Sequence, residues 1–300
     1  MDRAGLAAAG VALTGAWPAN AVSSASGVSA RTGRDGFLRL GFERRGARTV
    51  AASCRSTLPL QVLAPMALDD PAAVVSILNP TGGLVGGDRL AIDVVAGAGA
   101  HACLTTPSAT KVYRSGGEAA VQDVTLRLAS DAVVEWVPDH TIPFAGSIFR
   151  QRIHVTLGAR ARLILVDAFA AGRVARGEAW TFGVLDSALT ISDEGGCRLH
   201  DRFVLEGGAR WTGLGLAEGA PYFATMVVAG DGGSDVLGSI QRALAGSRDI
   251  RHGAAPLSGG GAIVRCLAPT APALLDTLDT VWSEARRALL GLPALVLRKP

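Results

Sequence analysis

Apolar and polar residues alternate in short runs over most of this chain. Residues Phe37 to Phe42 and Arg89 to Val94 alternate in part, Val124 to Leu128 does so clearly, and Ile153 to Leu157 does so cleanly. A period of two puts one side of a strand on a core and the other toward solvent or a second layer. Ala161 to Val166 is closer to a continuous apolar run, the pattern of a strand buried on both faces. Turn residues punctuate these runs at Gly97 to Gly99, Ser115 to Gly117, Leu157 to Ala159 and Glu194 to Gly196. From about residue 36 to 215 the pattern predicts strand after strand, hence a sandwich, a barrel or a helical stack of strands.

The last third changes period. Val236, Leu237, Ile240 and Leu244 share a helical face within 234–244. Leu274, Leu275, Leu278, Val281, Trp282, Ala285 and Leu289 recur at helical spacing over 271–290. Thr270 is the expected N-cap and Gly291 the expected stop. Between them, Ala262 to Leu267 reads as one more short strand. No linker divides the chain, so 36–300 is expected to be one domain, with a β-body over about 36–230 and a helical part over about 231–300. No fixed-length repeat is visible. The Leu274/Leu278/Trp282 face carries few charges, and is the expected docking face if the β-body leaves it uncovered.

Composition narrows the picture without changing it. Of 300 residues 49% are hydrophobic and 18% charged, with mean hydropathy +0.31, which describes a folded chain with ample core. Net charge is +3 and the basic residues are scattered, so no nucleic-acid stripe is expected. Lysine occurs only at 111 and 299. Cys54, Cys103, Cys197 and Cys266 are widely spaced, which disfavours both a zinc site and a disulfide framework. They are expected to be reduced thiols in a cytoplasmic protein. Residues 1–30 have an outline like that of a signal peptide, but Asp2 offsets Arg3 and the run is rich in Ala and Gly. A disordered leader or a misassigned start over 1–35 is the expectation. No later apolar run is long enough to span a membrane as a helix.

Candidate chemistry centres on residues 78–115. Gly82, Gly83, Gly86 and Gly87 precede Asp88. A P-loop needs Lys and Ser/Thr after its last glycine and a helix beginning there. Here Asp88 and a strand follow, so the glycines are read as a tight corner supplying positive φ. His101 and Cys103 would share a strand face, leaving open a β-scaffold hydrolase or transferase built on them or on buried carboxylates. Asp88, Asp93, Glu135, Asp139, Asp167 and Glu178 lie in or beside apolar strand-like segments. A carboxylate there is costly unless it is paired or meets a cation. Arg89, Arg173 and Arg176 are the nearby candidate partners. The alternative is a polar path for a divalent cation.

Four ordered segments then carry a resemblance. Asn79 to Asp88, Leu104 to Ser115, Trp136 to Phe144 and Gly172 to Glu178 resemble the signature of the urease accessory protein UreD (UreH) family. The likeness is strong over about 36–215 and weaker in the helices. It implies an elongated, stacked β-structure, mixed or antiparallel, with a few C-terminal helices, and no catalysis. It implies partners: the urease apoprotein, the accessory protein UreF and, through UreF, the nickel GTPase UreG. It implies no tightly bound cofactor but transient Ni2+. The residues it singles out are Asp88, Thr105, Thr106, Lys111, Tyr113, Arg173 and Glu178. Asp88 and Glu178 are the expected transient oxygen contacts, and Arg173 and Lys111 the expected ion-pair partners of such acids. The chain departs from the pattern at Pro107, where the family has Gln, and at Asp139-His140, where a Pro-flanked turn is expected to be exposed.

Overall fold

The chain winds back and forth between two sheets. In the computed structural model, residues 34–66, 68–230, 235–247 and 249–297 are described. Strand β1 (Asp35–Arg45) and hairpin partner β2 (Arg48–Ser56) open the first sheet, and β3 (Gln61–Val62) and β4 (Ala73–Leu78) open the second. The chain then alternates. β5 (Arg89–Ala96), β8 (Ala120–Leu128), β11 (Ile148–Leu157) and β13 (Val184–Asp193) enter the first sheet. β6 (His101–Thr105), β9 (Val133–Val137) and β12 (Arg162–Ala170) enter the second. Neighbours β1-β5-β8-β11-β13 are all parallel, as are β4-β6-β9-β12. Two short strands, β7 (Thr110–Val112) and β10 (Thr141–Pro143), pair in parallel along one side of the stack. The result is a solenoid-like coil of strands with antiparallel additions at its ends. One addition is β14 (Gly196–Glu206) on β13. On the second sheet β15 (Tyr222–Ala229), β17 (Gly261–Ala268) and β16 (Arg251–Pro256) follow in that order outward from β12, and at the opposite ends β2 on β1 and β3 on β4 are likewise antiparallel.

Burial explains why the strands read differently. The first sheet has water on its outer face. β1 and β5 therefore alternate, with Leu38, Leu40, Phe42, Leu90, Ile92 and Val94 inward. The second sheet is covered on both faces, so β4, β6 and β9 are buried almost throughout and do not alternate, their apolar residues interrupted only by Ser76, His101, Thr105 and Glu135. Its inner face joins the core between the sheets. Its outer face, through Val74, Ile164, Val166, Met226, Val228 and Val264, packs under two helices.

Those helices are α1 (Val236–Leu244) and α2 (Ala271–Ala285), the latter running into a π-helical turn at Arg286–Leu290. Asp235 caps α1 by accepting from the Gly238 amide, and Thr270 caps α2 by accepting from the Ala273 amide. Leu274, Leu278 and Trp282 are buried on the second sheet. Each such side chain contributes roughly 1.5–3 kcal/mol. The condition for reading that face as a docking surface is therefore not met: the β-body covers it.

A buried charge network fastens α2 to the sheet. Arg286 has no exposure and bonds Glu135 on β9 and Asp70 before β4. Glu135 also takes the Trp282 indole at 2.6 Å and His101 Nε2 at 2.7 Å. Burial works against the Glu135 charge, but His101, Arg286 and Trp282 outweigh it and hold the carboxyl below its ordinary range. Of the expected leader, residues 1–35, residues 1–33 lie outside the described residues. Arg34 and Asp35 already belong to the fold, the first through Asp88 and the second in β1.

Candidate functional site

The family-like segments meet on the side of the stack where β7 and β10 run. Leu84 bridges to Val112, with its amide on the Lys111 carbonyl and its carbonyl accepting from the Tyr113 amide, each at 2.8 Å. Gly83 lies so close that a Cβ there would collide with the Lys111 carbonyl and come within 2.7 Å of the Tyr113 ring. The corner glycine is thus fixed by close approach as well as by backbone angle. Tyr113 donates to the Gly82 carbonyl at 3.2 Å and meets Phe144 edge-on, centroids 5.1 Å apart. Arg173 lies over Phe144 at 4.3 Å and makes a two-pronged bond to Glu178 at 2.7 and 2.5 Å. That bond holds the Glu178 carboxyl below its ordinary range. Gly172 sits where a Cβ would strike the Glu178 carbonyl, so this loop is as tightly folded as the first. Lys111, Tyr113, Arg173 and Glu178 therefore form one half-buried ledge with Phe144 at its centre.

The remaining three expected residues hold backbone. Asp88 is 3% exposed; one carboxylate oxygen accepts from the Arg34 amide at 2.8 Å and the other from Val85 at 2.9 Å. Thr105 donates to the Val137 carbonyl at 2.8 Å, and Thr106 accepts from the Asp139 amide at 2.9 Å. His140 is buried beside Asp139 and Tyr222, which corrects the expectation of an exposed turn. His101 and Cys103 are 4% and 0% exposed, with His101 committed to Glu135.

Behind the ledge a cavity of about 150 Å³ enters the space between the sheets. Gly83, Thr106, Lys111 and Asp139 line its outer part, and Gln122, Gln151 and Asp167 line its inner part. There the core stops being apolar. Gln122 donates to Gln151 at 3.1 Å, Gln151 donates to Asp167 at 2.8 Å and to Ser187 at 3.2 Å, and Ser187 donates to Asp167 at 3.0 Å. Burial pushes the Asp167 carboxyl up to about 6; the bonds from Gln151 and Ser187 pull against it, and Asp201 adds to the rise. On the far side Thr225, paired with Asp167, and Arg265, paired with Thr225, line a second cavity of about 620 Å³ together with Asp201. Arg265 bonds Asp201 at 2.7 Å across the gap between the sheets. A polar line thus runs along the stack from the ledge past Asp167 to Asp201.

Gln122, Gln151 and Ser187 belong to no sequence motif, and Asp167 is one of six acids in or beside strand-like segments. The available signal was positional. Gln151 stands between Phe149 and Ile153 on the inward side of an alternating strand, and Asp167 interrupts a strand buried on both faces. Among the described residues, no group of three or more His, Cys, Asp or Glu is placed to hold a metal ion.

These features define a class: a solenoid-like two-sheet scaffold with a polar line through its core and a folded ledge at one end of that line. Comparison with known proteins gives the family. The model of the UreD urease accessory protein matches residues 34–300. The chain is 36% identical over 282 residues to the urease accessory protein UreD of Alkalilimnicola ehrlichii, covering 93% of this chain and 95% of that one. It is 37% identical to the Deinococcus radiodurans protein of that name, covering 90% and 96%, and 36% identical to that of Pseudomonas aeruginosa, covering 86% and 91%. The chain belongs to the UreD family of urease accessory proteins.

Proposed function

We propose that the chain is a non-catalytic cytoplasmic scaffold that binds the urease apoprotein and, with UreF and the GTPase UreG, passes nickel toward the urease metallocentre. The observation that carries this reading is the polar line through the apolar core between the two sheets. Gln122, Gln151, Asp167 and Ser187 sit inside a β-stack whose core between the sheets is otherwise built mainly of Leu, Val, Ile, Ala and aromatic side chains. A cation cannot cross an apolar core without ligands. Amide, hydroxyl and single carboxylate oxygens bind a borderline divalent ion weakly, which suits passage rather than storage. Asp167 is the central contact in this proposal. Asp88 and Glu178 rank below it as transient oxygen contacts, because backbone amides and Arg173 already occupy them. A hydrolase or transferase built on His101 and Cys103 has no comparable support, since both are buried.

The test is urease activation in a heterologous host, with the apoenzyme and the other accessory proteins held constant. Omitting this chain is expected to abolish both urea hydrolysis and bound nickel. Asp167→Asn is expected to lower both while the chain still co-purifies with its partners. Full activation without the chain would sink the scaffold reading. Full activation with Asp167→Asn would sink the path through the core.

A further inference from the structure

The second cavity opens where the two sheets part beyond β13 and β15, and it is built unlike the first. Trp180, Phe203, Trp211 and Phe223 make its floor. Trp180 stacks on Phe223 with planes 8° apart, and Phe203 meets Phe223 edge-on at 5.7 Å. The Trp211 indole is pinned to the Glu206 carbonyl, so the floor is held open. The loop over it carries Leu214 and Leu216, 93% and 47% exposed. An aromatic-floored hollow with an apolar lip left in water marks a binding face. Trp and Arg are the residues that dominate the centres of such faces.

Charge at the rim says what covers it. The side chains of Arg202, Arg210, Arg251 and Arg265 are 50–63% exposed. Of the acids they pair with, Asp186 is 8% exposed and Asp201 and Glu218 are 22% each; Glu206 alone, at 69%, faces solvent fully. Arg210 also lies over the Trp211 ring at 4.8 Å, and His252 lines the cavity. Three of the four carboxylates, Asp186, Asp201 and Glu218, are therefore tucked beneath their guanidinium groups, and there an approaching molecule meets a basic rim around an apolar floor. We propose that this cavity is the docking socket for an apolar segment of a partner protein flanked by acidic residues. The apolar side chains fill the aromatic floor, and the flanking carboxylates take the outward hydrogen-bonding positions of Arg251, Arg265 and Arg210. A second copy of the chain fits less well, because it would set one basic rim against another. The assignment stands whether or not nickel crosses the interior.

Two short fluorescein-labelled peptides with the same Leu/Phe core, one flanked by Asp and Glu and the other by Lys, would be titrated into the full chain and followed by anisotropy. The acidic peptide is expected to bind at least about tenfold more tightly at low salt, with the difference shrinking as salt rises. Leu216→Asp, an exposed change that leaves the fold intact by circular dichroism, is expected to abolish binding. Arg210→Glu with Arg251→Glu is expected to reverse the preference. Equal affinity for the two peptides, or binding untouched by Leu216→Asp, would overturn the proposal. So would a dimer in sedimentation that Leu214→Asp dissolves, since the occupant would then be a second copy.

Discussion

Asp167 holds its proton to a higher pH than a solvated aspartate, mainly because burial penalises the charged form. Its folded value, about 6, lies above the ordinary aspartate value of 3.8. Between those values the unfolded chain has released a proton that the folded chain retains. Stability therefore falls as pH rises through this window and levels off above it. Asp167→Asn removes that loss. Its unfolding free energy in urea titrations is expected to exceed the wild-type one at pH 7.5, by at most about 3 kcal/mol, and to converge with it near pH 4. The same variant is expected to deliver less nickel. A change that strengthens the fold and weakens the function marks a residue kept for its chemistry. On the ledge the opposite balance holds. Arg173→Ala is expected to leave the melting temperature almost unchanged, since its pair with Glu178 is partly solvated. Gly83→Ala is expected to cost about 1–3 kcal/mol, because its Cβ meets Lys111 and Tyr113. Thermal melts compare the two directly.

The elements are held by two different kinds of interaction. Within the stack, parallel neighbours and an apolar core repeat along the axis, and no single pair is decisive. At α2, one buried network is. Arg286→Met leaves Glu135 and Asp70 without their cation inside the fold, which is expected to cost about 3–5 kcal/mol. Hydrogen exchange is expected to show α2 and the π-helical turn losing protection before the β-stack does. The low Glu135 value adds a pH signature. Its contribution is present above the ordinary glutamate range and is lost as pH falls through the depressed folded value, so the helix detaches in acid. Leu278→Glu would place a charge in the same buried face. Its expected outcome is loss of the folded C-terminal helix rather than a selective loss of partner binding.

Across the whole molecule, the polar line links the ledge at one end to the aromatic socket at the other. The 150 Å³ and 620 Å³ cavities lie on either side of Asp167 and Thr225, and Arg265 and Asp201 stand at the second. If nickel crosses the interior, purified complex loaded at pH 5 is expected to take up nickel several-fold more slowly than at pH 7.5, because Asp167 is then mostly protonated. The Asp167→Asn complex is expected to be slow at both. Radiolabelled nickel uptake reads this without requiring active urease.

What the sequence determined by itself was local. The alternation at 37–42, 89–94, 124–128 and 153–157 marked strands with one wet face, the run at 161–166 marked one with none, and Thr270 and Gly291 bounded the last helix. Those signals survive because each depends on residues two to four apart. The ordered glycine and aromatic segments also identified the family, and four of its candidate residues do come together on one ledge. What only the tertiary structure decided was which face met which. Gln122, Gln151, Asp167 and Ser187 lie on four different strands: parallel register in the first sheet aligns Gln122, Gln151 and Ser187, and only the packing of the second sheet against it brings Asp167 onto them. Arg286 finds Glu135 across 151 positions of chain. The helical face of Leu274, Leu278 and Trp282 was apolar in either reading, and only the second sheet beneath it settled that it is core. A period along the chain reports that a face is apolar; the partner that covers it is a property of distant residues.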